Sequence, residues 1–485
     1  MDESLDLNYE EFQHLVKKTL VMIFETYQSV NDQIGFHPFA QAEVQTWFEE
    51  ELPMQGSDMD ELFHLVKQCV VQTATGNLGP NMYAYVMSGG NQVSTLADFL
   101  VSTLNQNTSK WHLAPAMIEI EKRVVAWTAQ MFNFPKQAGG VFVSGGSAAN
   151  LTGITVARNH FLKKNDVNRN GLFGLKPCTL YCSKETHNSI DKSVAELGIG
   201  TDHIRKIHCN TDFTINLNAL EQQIQIDIAS GFTPFCIVGN AGTVNTGAID
   251  DLLSLYKIAK KYDLWFHVDG AYGGLIASLP EFSGLYTGIH LADSIALDFH
   301  KWLYQPFEVG CTLVRNWDIL KDTFYQAAPY LSQTKEPNNT VNARLDINEH
   351  SFQLSRNAKA FKVWMSLKAY GFERFQNMMR KDIMLTRYLE YLINDSSDFT
   401  LKSNSDLGIA CFRYVDLSLS PEAMVAFNQA LIPALEKDGR VFITGTQLNG
   451  EFVLRACIIN HRKQKKDIAH LLDVIREVAT QLKAA

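Results

Sequence analysis

The sequence has no closely spaced cysteine pair of the kind that binds zinc or forms a redox centre. Its eight cysteines are scattered along 485 residues, and the closest two, Cys178 and Cys182, do not make a CxxC motif. Cysteines spaced in this way predict neither a structural metal site nor a disulfide framework. We therefore expect free thiols and no bound metal.

An excess of basic residues is also missing. Lys and Arg number 43 against 52 Asp and Glu, which gives a formal net charge of −9 and a sequence pI of about 5.9. This balance speaks against a nucleic-acid partner, because such partners select basic surfaces.

Long apolar runs are absent as well. No uninterrupted stretch reaches the length of a membrane span. The first residues, MDESLDLNYEEF, are acidic and lack the basic and apolar regions of a signal peptide. We expect a cytoplasmic protein with no membrane partner.

Apolar residues with two different spacings are present, and they indicate an α/β fold. Residues 8–30 and 58–74 have helical spacing, whereas short apolar runs alternate with helical patterns between about 95 and 320. Such runs between helices predict a parallel sheet covered on both faces. The predicted strands are Val141–Val143, Thr179–Tyr181, Phe235–Val238, Leu264–Val268 and Ser294–Leu297.

Composition also suggests three segments. A Gly-, Asn- and Ser-rich stretch at 75–95 reads as a long loop, and polar residues 330–350 predict a lid or a disordered segment. A helix and alternating strands and helices follow Arg356. We predict a helical N-terminal segment (1–85), a large domain (86–355) and a smaller α+β domain (356–485).

Two polar features follow predicted strands. Ser144–Asn150 (SGGSAAN) leads into a helix, and its glycines and free N–H groups suit a phosphate, although an ordinary strand–helix turn is the alternative. Asp269 closes a strand in HVDGAYGG. It is either a helix cap, a metal ligand or the partner of a protonated pyridine nitrogen. Ala271 is small enough for a flat ring to lie against it.

Two further residues complete a set. His187, in KETHNS, is either a structural hydrogen-bonding residue or a group that stacks on an aromatic ring. Lys301, in DFHKW, is either a surface lysine with an apolar stem or an amine that forms a Schiff base. Together the four features provide a phosphate cradle, a carboxylate, a stacking group and an imine lysine. Pyridoxal 5'-phosphate needs these four groups.

In these motifs, and in LNQNTSKWHLAPAMIEIE, the sequence resembles the group II pyridoxal-phosphate-dependent amino-acid decarboxylases. That family includes aromatic-L-amino-acid, glutamate and 2,4-diaminobutyrate decarboxylases, and the resemblance covers nearly the whole chain. It implies fold type I, the PLP-dependent transferase-like fold. This fold has a large seven-stranded mixed, mostly parallel sheet and a small C-terminal domain. The family also implies an N-terminal segment that packs on the partner of a homodimer.

The resemblance also implies roles for individual residues. Lys301 would carry the internal aldimine, Asp269 would bind the pyridinium nitrogen, and His187 and Ala271 would lie on opposite faces of the ring. The remaining cofactor-binding residues would be Gly146, Ser147, Ala148, Thr243, Asp298 and His300. An L-amino acid would lose carbon dioxide through an external aldimine and a quinonoid, and the amine would be released.

The chain departs from the family pattern at three places. Val244 stands where members often have a second threonine, and Asp298 stands where several have Asn. Ile347 aligns near the position of the lid tyrosine that protonates Cα, whereas Tyr325 and Tyr330 lie earlier. Without an acid, the quinonoid would react with oxygen and give an aldehyde in place of the amine.

The substrate and the type of reaction each have more than one interpretation. The polar segment 107–111 suits an acidic or polar side chain as well as an aromatic one, and Tyr83 and Tyr85 are either pocket wall or core. A transaminase would need a carboxylate clamp, for which Arg413 and Arg455 are available. A scaffold protein without activity would be expected to lack Lys301 or Asp269, and both are present.

Overall fold

The computed structural model describes residues 5–326 and 345–484, which fall into two compact units. The first unit contains Met1–Gly89, Leu385–Lys402 and Ala410–Ala485. The second contains Gly90–Met384 and Ser403–Ile409. Tyr330 lies outside the described residues. No helix in the described ranges is long and apolar enough to cross a membrane.

The second unit contains the predicted seven-stranded mixed sheet. Its order is β1-β7-β6-β5-β4-β2-β3, and only β7 runs antiparallel to its neighbours. The strands are β1 Gly139–Val143, β2 Cys178–Ser183, β3 Ile204–Ile207, β4 Thr233–Asn240, β5 Trp265–Asp269, β6 Ser294–Asp298 and β7 Gly310–Val314. All five strands predicted from the sequence are therefore confirmed, and β3 and β7 are added.

A four-stranded sheet of order β10-β11-β9-β8 forms the centre of the first unit. Its even-numbered side chains on β9 and β11, such as Phe412 and Leu454, enter a core with the apolar faces of three helices. The four strands are β8 Phe399–Ser403, β9 Ile409–Tyr414, β10 Thr444–Leu448 and β11 Glu451–Cys457. The predicted α+β character of this part of the chain is confirmed.

Sixteen α-helices lie in the described ranges. Several begin at side chains that accept a hydrogen bond from a free N–H of the first turn, such as Asn8, Asn91 and Asp251. The helices are α1 Tyr9–Gln28, α2 Gln41–Thr46, α3 Met59–Val66, α4 Gln92–Leu104, α5 Pro115–Met131, α6 Gly146–Phe161, α7 Val167–Asn170, α8 Ser189–Glu196, α9 Leu217–Ala229, α10 Leu252–Lys261, α11 Phe299–Trp302, α12 Asp318–Phe324, α13 Lys359–Tyr370, α14 Phe372–Asn394, α15 Pro421–Asp438 and α16 Lys465–Ala484.

Residues 356–384, which we assigned to the small domain, belong to the unit with the large sheet. Helix α13 packs on α4 and α5, and Lys362 Nζ lies 2.9 Å from Asp98 Oδ2 of α4. The division into three segments, with the N-terminal one packed on a dimer partner, stays a prediction.

Candidate active site

The predicted site residues come from strand ends that share one edge of the large sheet. Strands β2, β4, β5 and β6 are parallel, and β1 has the same direction because β1 and β6 are both antiparallel to β7. Ligands bind at the carboxyl edge of such sheets. This edge is where α6 and α11 begin and where His187 and Asp269 lie.

The glycine-rich turn between β1 and α6 contacts two other predicted residues. A Cβ atom at Gly146 would lie 2.8 Å from Ala271 Cβ and 3.0 Å from Asp298 Oδ2. A side chain at Gly145 would be 3.2 Å from His300 Cε1. The backbone approaches these groups closely, and the first N–H groups of α6, at Gly146, Ser147 and Ala148, have no partner within the helix. This end of α6 suits an anion.

Asp269 is a buried carboxylate held by neutral donors. Its Oδ2 accepts a hydrogen bond from Asn150 Nδ2 at 3.0 Å, and its Oδ1 accepts one from Ala271 N at 3.1 Å. It forms no ion pair with another described residue, and its exposed fraction is 7%. A buried carboxylate without a cation favours a positively charged ligand atom, since burial of an uncompensated charge is costly.

Lys301 is paired with a second buried carboxylate. Its Nζ lies 3.3 Å from Asp298 Oδ2, and His300 Nε2 lies 3.2 Å from the same oxygen. His300 Nδ1 accepts a hydrogen bond from Val309 N, so Nε2 carries the proton that faces Asp298. The other oxygen, Asp298 Oδ1, is buried and has no hydrogen-bond partner among the described residues.

His187 follows β2 and is exposed in the single chain. Its Nδ1 lies 2.9 Å from Ser189 Oγ. Partial desolvation lowers its pKa, and the positive charge of Lys301 lowers it further, while Asp269 and Asp298 act in the opposite direction. His187 is therefore within electrostatic range of the three charged residues of the predicted site.

Thr243 is less clearly part of this arrangement. Its side chain is buried. Thr243 Oγ1 lies 3.0 Å from Thr246 Oγ1 and accepts a hydrogen bond from Ala248 N at 3.1 Å. The hydroxyl thus stabilises the turn after β4. No hydrogen bond links it to another predicted site residue in the ranges that the structure describes.

The residues near the predicted lid and pocket have mixed positions. Ile347 is buried in the core of the second unit beside residues such as Ile118, and Tyr325 is 38% exposed at the end of α12. Tyr83 is fully buried in the core of the first unit and donates to Asp467 O, whereas Tyr85 is exposed. Tyr83 is thus core.

Sequence reasoning missed the residues that hold the site from behind. Asn150 bonds to Asp269 and to Ser189, and His267 and Ser294 lie behind Asn150. Asn150 stands at the end of the quoted SGGSAAN motif, and His267 stands two residues before Asp269 on the same face of β5. That period-2 spacing was the available signal.

Comparison with known proteins gives the family. The model of the pyridoxal-dependent decarboxylase conserved domain matches residues 42–415. The chain belongs to the pyridoxal-dependent decarboxylase family. The family resemblance and the predicted enzyme class are thereby confirmed. Pyridoxal phosphate is the cofactor of this decarboxylase.

Relatives of this decarboxylase match along nearly its whole length. The aromatic-L-amino-acid decarboxylase of Bacillus atrophaeus is 32% identical over 483 residues, covering 99% of this chain and 98% of the relative. The 4-hydroxyphenylacetaldehyde synthase of Rhodiola rosea is 27% identical over 441 residues, covering 89% and 88%. The structure of Oryza sativa TDC with PLP and tryptamine has a TM-score of 0.91 at 24% identity and covers 99% of both chains. The predicted fold type I architecture is confirmed.

The residues at the sheet edge fit pyridoxal phosphate. The first N–H groups of α6 have no partner within the helix and suit a phosphate. Asp269 forms no ion pair with another described residue. Lys301 provides the primary amine that the cofactor aldehyde requires. Lys301 forms an ion pair with Asp298. The second carboxylate oxygen of Asp298, Oδ1, has no hydrogen-bond partner among the described residues.

Proposed function

We propose that this decarboxylase converts an aromatic L-amino acid into the corresponding amine and carbon dioxide. The similarity to the aromatic-L-amino-acid decarboxylase of Bacillus atrophaeus supports the substrate class. The observation that carries the chemistry is the meeting of Lys301, Asp269 and His187 at one sheet edge. When bound, the cofactor supplies an electron sink for breaking a bond at Cα.

The chain's own residues hold the cofactor in this proposal. Lys301 Nζ would provide the amine for its aldehyde, and the carboxylate of Asp269 would face its ring nitrogen. Ala271 and His187 would flank the ring. The phosphate contacts are proposed for Gly146, Ser147 and Ala148 at the N-terminus of α6, helped by Asp298 and His300. Thr243 is proposed to contact the cofactor from the loop after β4.

Asp298 and His300 lie beside Lys301. Asp298 Oδ2 is 3.3 Å from Lys301 Nζ, so this carboxylate would hold the amine at the sheet edge. His300 donates its Nε2 proton to the same oxygen. Both partners of Asp298 therefore face Oδ2, whereas Oδ1 has no hydrogen-bond partner among the described residues.

The proposal is tested with purified protein loaded with pyridoxal phosphate. Borohydride reduction followed by peptide mass spectrometry is expected to find the cofactor fixed on Lys301. A panel of L-amino acids is then assayed for carbon dioxide and amine. We expect release from tyrosine, tryptophan or phenylalanine, and release only from glutamate, aspartate or 2,4-diaminobutyrate would overturn the substrate class.

A second candidate reaction is decarboxylation coupled to oxidative deamination. The Rhodiola rosea relative is a 4-hydroxyphenylacetaldehyde synthase, and Ile347 is a buried aliphatic residue with no proton to give. In this reaction the amino acid, oxygen and water yield aldehyde, carbon dioxide, ammonia and hydrogen peroxide. Equal amounts of aldehyde and peroxide in the assay would favour it, and amine alone would exclude it.

The homodimer and the cytoplasmic location also belong to the proposal. Large apolar side chains are exposed on α4 at helical spacing, at Leu96, Leu100 and Leu104. An apolar stripe of this kind on a single chain is typical of an interaction surface. We propose that a second copy of the chain covers it.

A further inference from the structure

A continuous row of hydrogen bonds lies behind the candidate active site. Its first half begins in the core of the large sheet, where Trp265 Nε1 donates to Ser294 Oγ at 2.8 Å. Ser294 Oγ lies 2.7 Å from His267 Nδ1, and His267 Nε2 lies 2.9 Å from Asn150 Oδ1. The row thus crosses from β6 and β5 to α6.

The second half leads from α6 to two predicted cofactor-binding residues. Asn150 Nδ2 donates to Asp269 Oδ2 at 3.0 Å and to Ser189 Oγ at 2.9 Å. Ser189 Oγ lies 2.9 Å from His187 Nδ1, and Ser189 N donates to the same ring nitrogen at 3.2 Å. One amide therefore connects the carboxylate with the imidazole.

The chemistry of the groups sets the direction of the first half. A carboxylate only accepts, so the amide nitrogen of Asn150 faces Asp269 and its oxygen faces His267. His267 Nε2 must then carry a proton, and Nδ1 accepts the hydroxyl proton of Ser294, whose oxygen accepts from Trp265. Burial lowers the pKa of His267 to about 4, which agrees with this neutral form.

The direction of the second half follows in the same way. Ser189 Oγ accepts from Asn150, so its own hydroxyl proton points at His187 Nδ1. The backbone N–H of Ser189 points at the same atom. Because two donors face Nδ1, this nitrogen accepts, and the proton of neutral His187 stands on Nε2.

We propose that Asn150 is a positioning residue that His267 clamps in one orientation. In that orientation, Asn150 aims the Asp269 carboxylate at the cofactor ring nitrogen and fixes His187 in its Nε2–H tautomer. The inference rests on the proposed function, because it assigns the ring nitrogen to Asp269. Asn150, His267 and Ser294 have exposed fractions of 1%, 0% and 0%, so water does not compete for these bonds.

The residue type at position 150 is decisive for this role. An aspartate there has nearly the same shape as asparagine but offers no N–H to Asp269 or to Ser189. It would also place a second buried carboxylate against Asp269, and one of the two would have to take up a proton. Asn150→Asp therefore removes both N–H donors with little change of volume, and the proton shared by the two carboxyl groups leaves less negative charge on Asp269 itself.

The test compares two cofactors in equilibrium binding to the protein. Pyridoxal phosphate carries the ring nitrogen, and its 1-carba analogue has a C–H at that place. We expect Asn150→Asp to weaken the binding of pyridoxal phosphate by roughly tenfold to a hundredfold, the range for a hydrogen bond to a charged group. The binding of the analogue should change by about twofold or less.

Asn159→Asp is the matched control on the same helix. Asn159 is also buried and donates to Asn168 Oδ1 and to Thr323 O, neither of which is a predicted site residue. It should leave the affinity ratio of the two cofactors unchanged. Equal losses for both cofactors in Asn150→Asp would overturn the proposal, because Asn150 would then support the fold alone.

A second measurement needs no variant at position 150. Nitrogen NMR of the ¹⁵N-histidine-labelled holoenzyme is expected to show His187 with an unprotonated Nδ1 and a protonated Nε2, the signal being assigned by its loss in His187→Gln. A protonated Nδ1 would overturn the tautomer assignment. If the unmodified protein formed no covalent bond between pyridoxal phosphate and Lys301, the proposed function would fail instead.

Discussion

Lys301 shows how a single residue acquires a function from its neighbours. An ammonium group at the end of a buried strand requires a partner, and Asp298 three residues earlier provides one at 3.3 Å. The turn of α11 brings the two side chains together, and His300 donates to the same carboxylate. Asp298 stands where several members of the family have Asn, and its partners in the structure are Lys301 and His300.

The first prediction concerns Lys301 itself. We expect Lys301→Ala to lower the rate of carbon dioxide release by at least about a thousandfold, because the covalent link to the cofactor is lost. Lys359→Ala, which removes an amine paired with Glu308, should retain activity near that of the unmodified protein. Substantial activity of Lys301→Ala, with unchanged circular dichroism, would contradict the assigned role.

The second prediction concerns the proton that the product receives at Cα. Ile347 has no acidic proton, so we expect either Tyr325 or Tyr330 to supply it. Phenylalanine in place of the tyrosine that donates this proton should raise the ratio of aldehyde and hydrogen peroxide to amine by about a hundredfold, the lower end of a general-acid contribution. Unchanged product ratios in both single variants and in the double variant would exclude the two tyrosines.

Helix α6 contacts two different parts of the candidate site. Its N-terminus faces the glycine turn, and its next turn places Asn150 and Gly153 on the side that meets β5. Gly153 lacks a side chain where His267 approaches, since a Cβ there would lie 2.5 Å from His267 Cε1. The helix thus combines an N-terminus that we propose faces the phosphate with a contact to the row of hydrogen bonds behind Asp269.

The third prediction follows from that contact. In an exposed helix, Gly→Ala is stabilising by about 1 kcal/mol. For Gly153→Ala we expect the opposite sign, a loss of about 1–3 kcal/mol in the free energy of unfolding, because the buried imidazole has to move. Thr155→Ala on the same helix serves as the control, and a stabilised Gly153→Ala protein in urea unfolding would show that the helix accommodates the methyl group.

Strand β1 shows how side chains replace a neighbouring strand. It lies at the edge of the sheet, and Phe142 N donates to Glu121 Oε1 at 3.2 Å while Phe142 O accepts from Arg356 Nη2 at 2.8 Å. Glu121 and Arg356 are themselves paired at 2.7 Å, and their side chains are 3% and 2% exposed. The buried pair therefore provides hydrogen-bond partners for the backbone N–H and C=O of Phe142, two residues before the glycine-rich turn.

The fourth prediction tests this pair. Glu121→Gln leaves the guanidinium of Arg356 without its counter-charge, and we expect the free energy of unfolding to fall by about 3–5 kcal/mol. Glu119→Gln, which affects an exposed pair with Lys122, should change it by less than about 1 kcal/mol. Denaturant titrations of the two variants give both values, and similar small losses would contradict a structural role for the buried pair.

At the scale of the whole molecule, large apolar side chains remain uncovered on the single chain. Helix α1 exposes Phe12, Val21 and Phe24, and α4 exposes a stripe that includes Leu100. Burial of one exposed leucine or phenylalanine side chain would contribute roughly 1.5–3 kcal/mol of favourable free energy, so these surfaces favour association. The resemblance to a family of homodimers leads to the same expectation.

The fifth prediction addresses the assembly directly. Leu100→Lys places a charge within the exposed stripe of α4 and should raise the dimer dissociation constant by at least about tenfold, as measured by sedimentation or by light scattering. Leu417→Lys is the control, since Leu417 is 92% exposed and lies apart from both helices in the sequence. Dimers of unchanged stability in Leu100→Lys would place the interface elsewhere.

The sequence by itself determined the class of fold and led to the predicted site residues. Continuous apolar runs marked five strands of the large sheet, and the predicted site residues Lys301, Asp269 and His187 lie at the end of a strand or within four residues of it. Strand β3 was not predicted, because its two central residues, Arg205 and Lys206, are charged and the strand lies at the edge of the sheet. Periodicity identifies a strand only where burial imposes it.

Only the tertiary structure decided which residues touch. The sequence separates Asn150 from Asp269 by 119 positions and Glu121 from Arg356 by 235, and neither pair has a local signal. Hydrogen bonds between buried groups depend on distance and direction in space, whereas sequence patterns report burial and local conformation. The proposed tautomer of His187 and orientation of Asn150 therefore depend on side chains from β5, β6, α6 and the start of α8, which meet only in the folded chain.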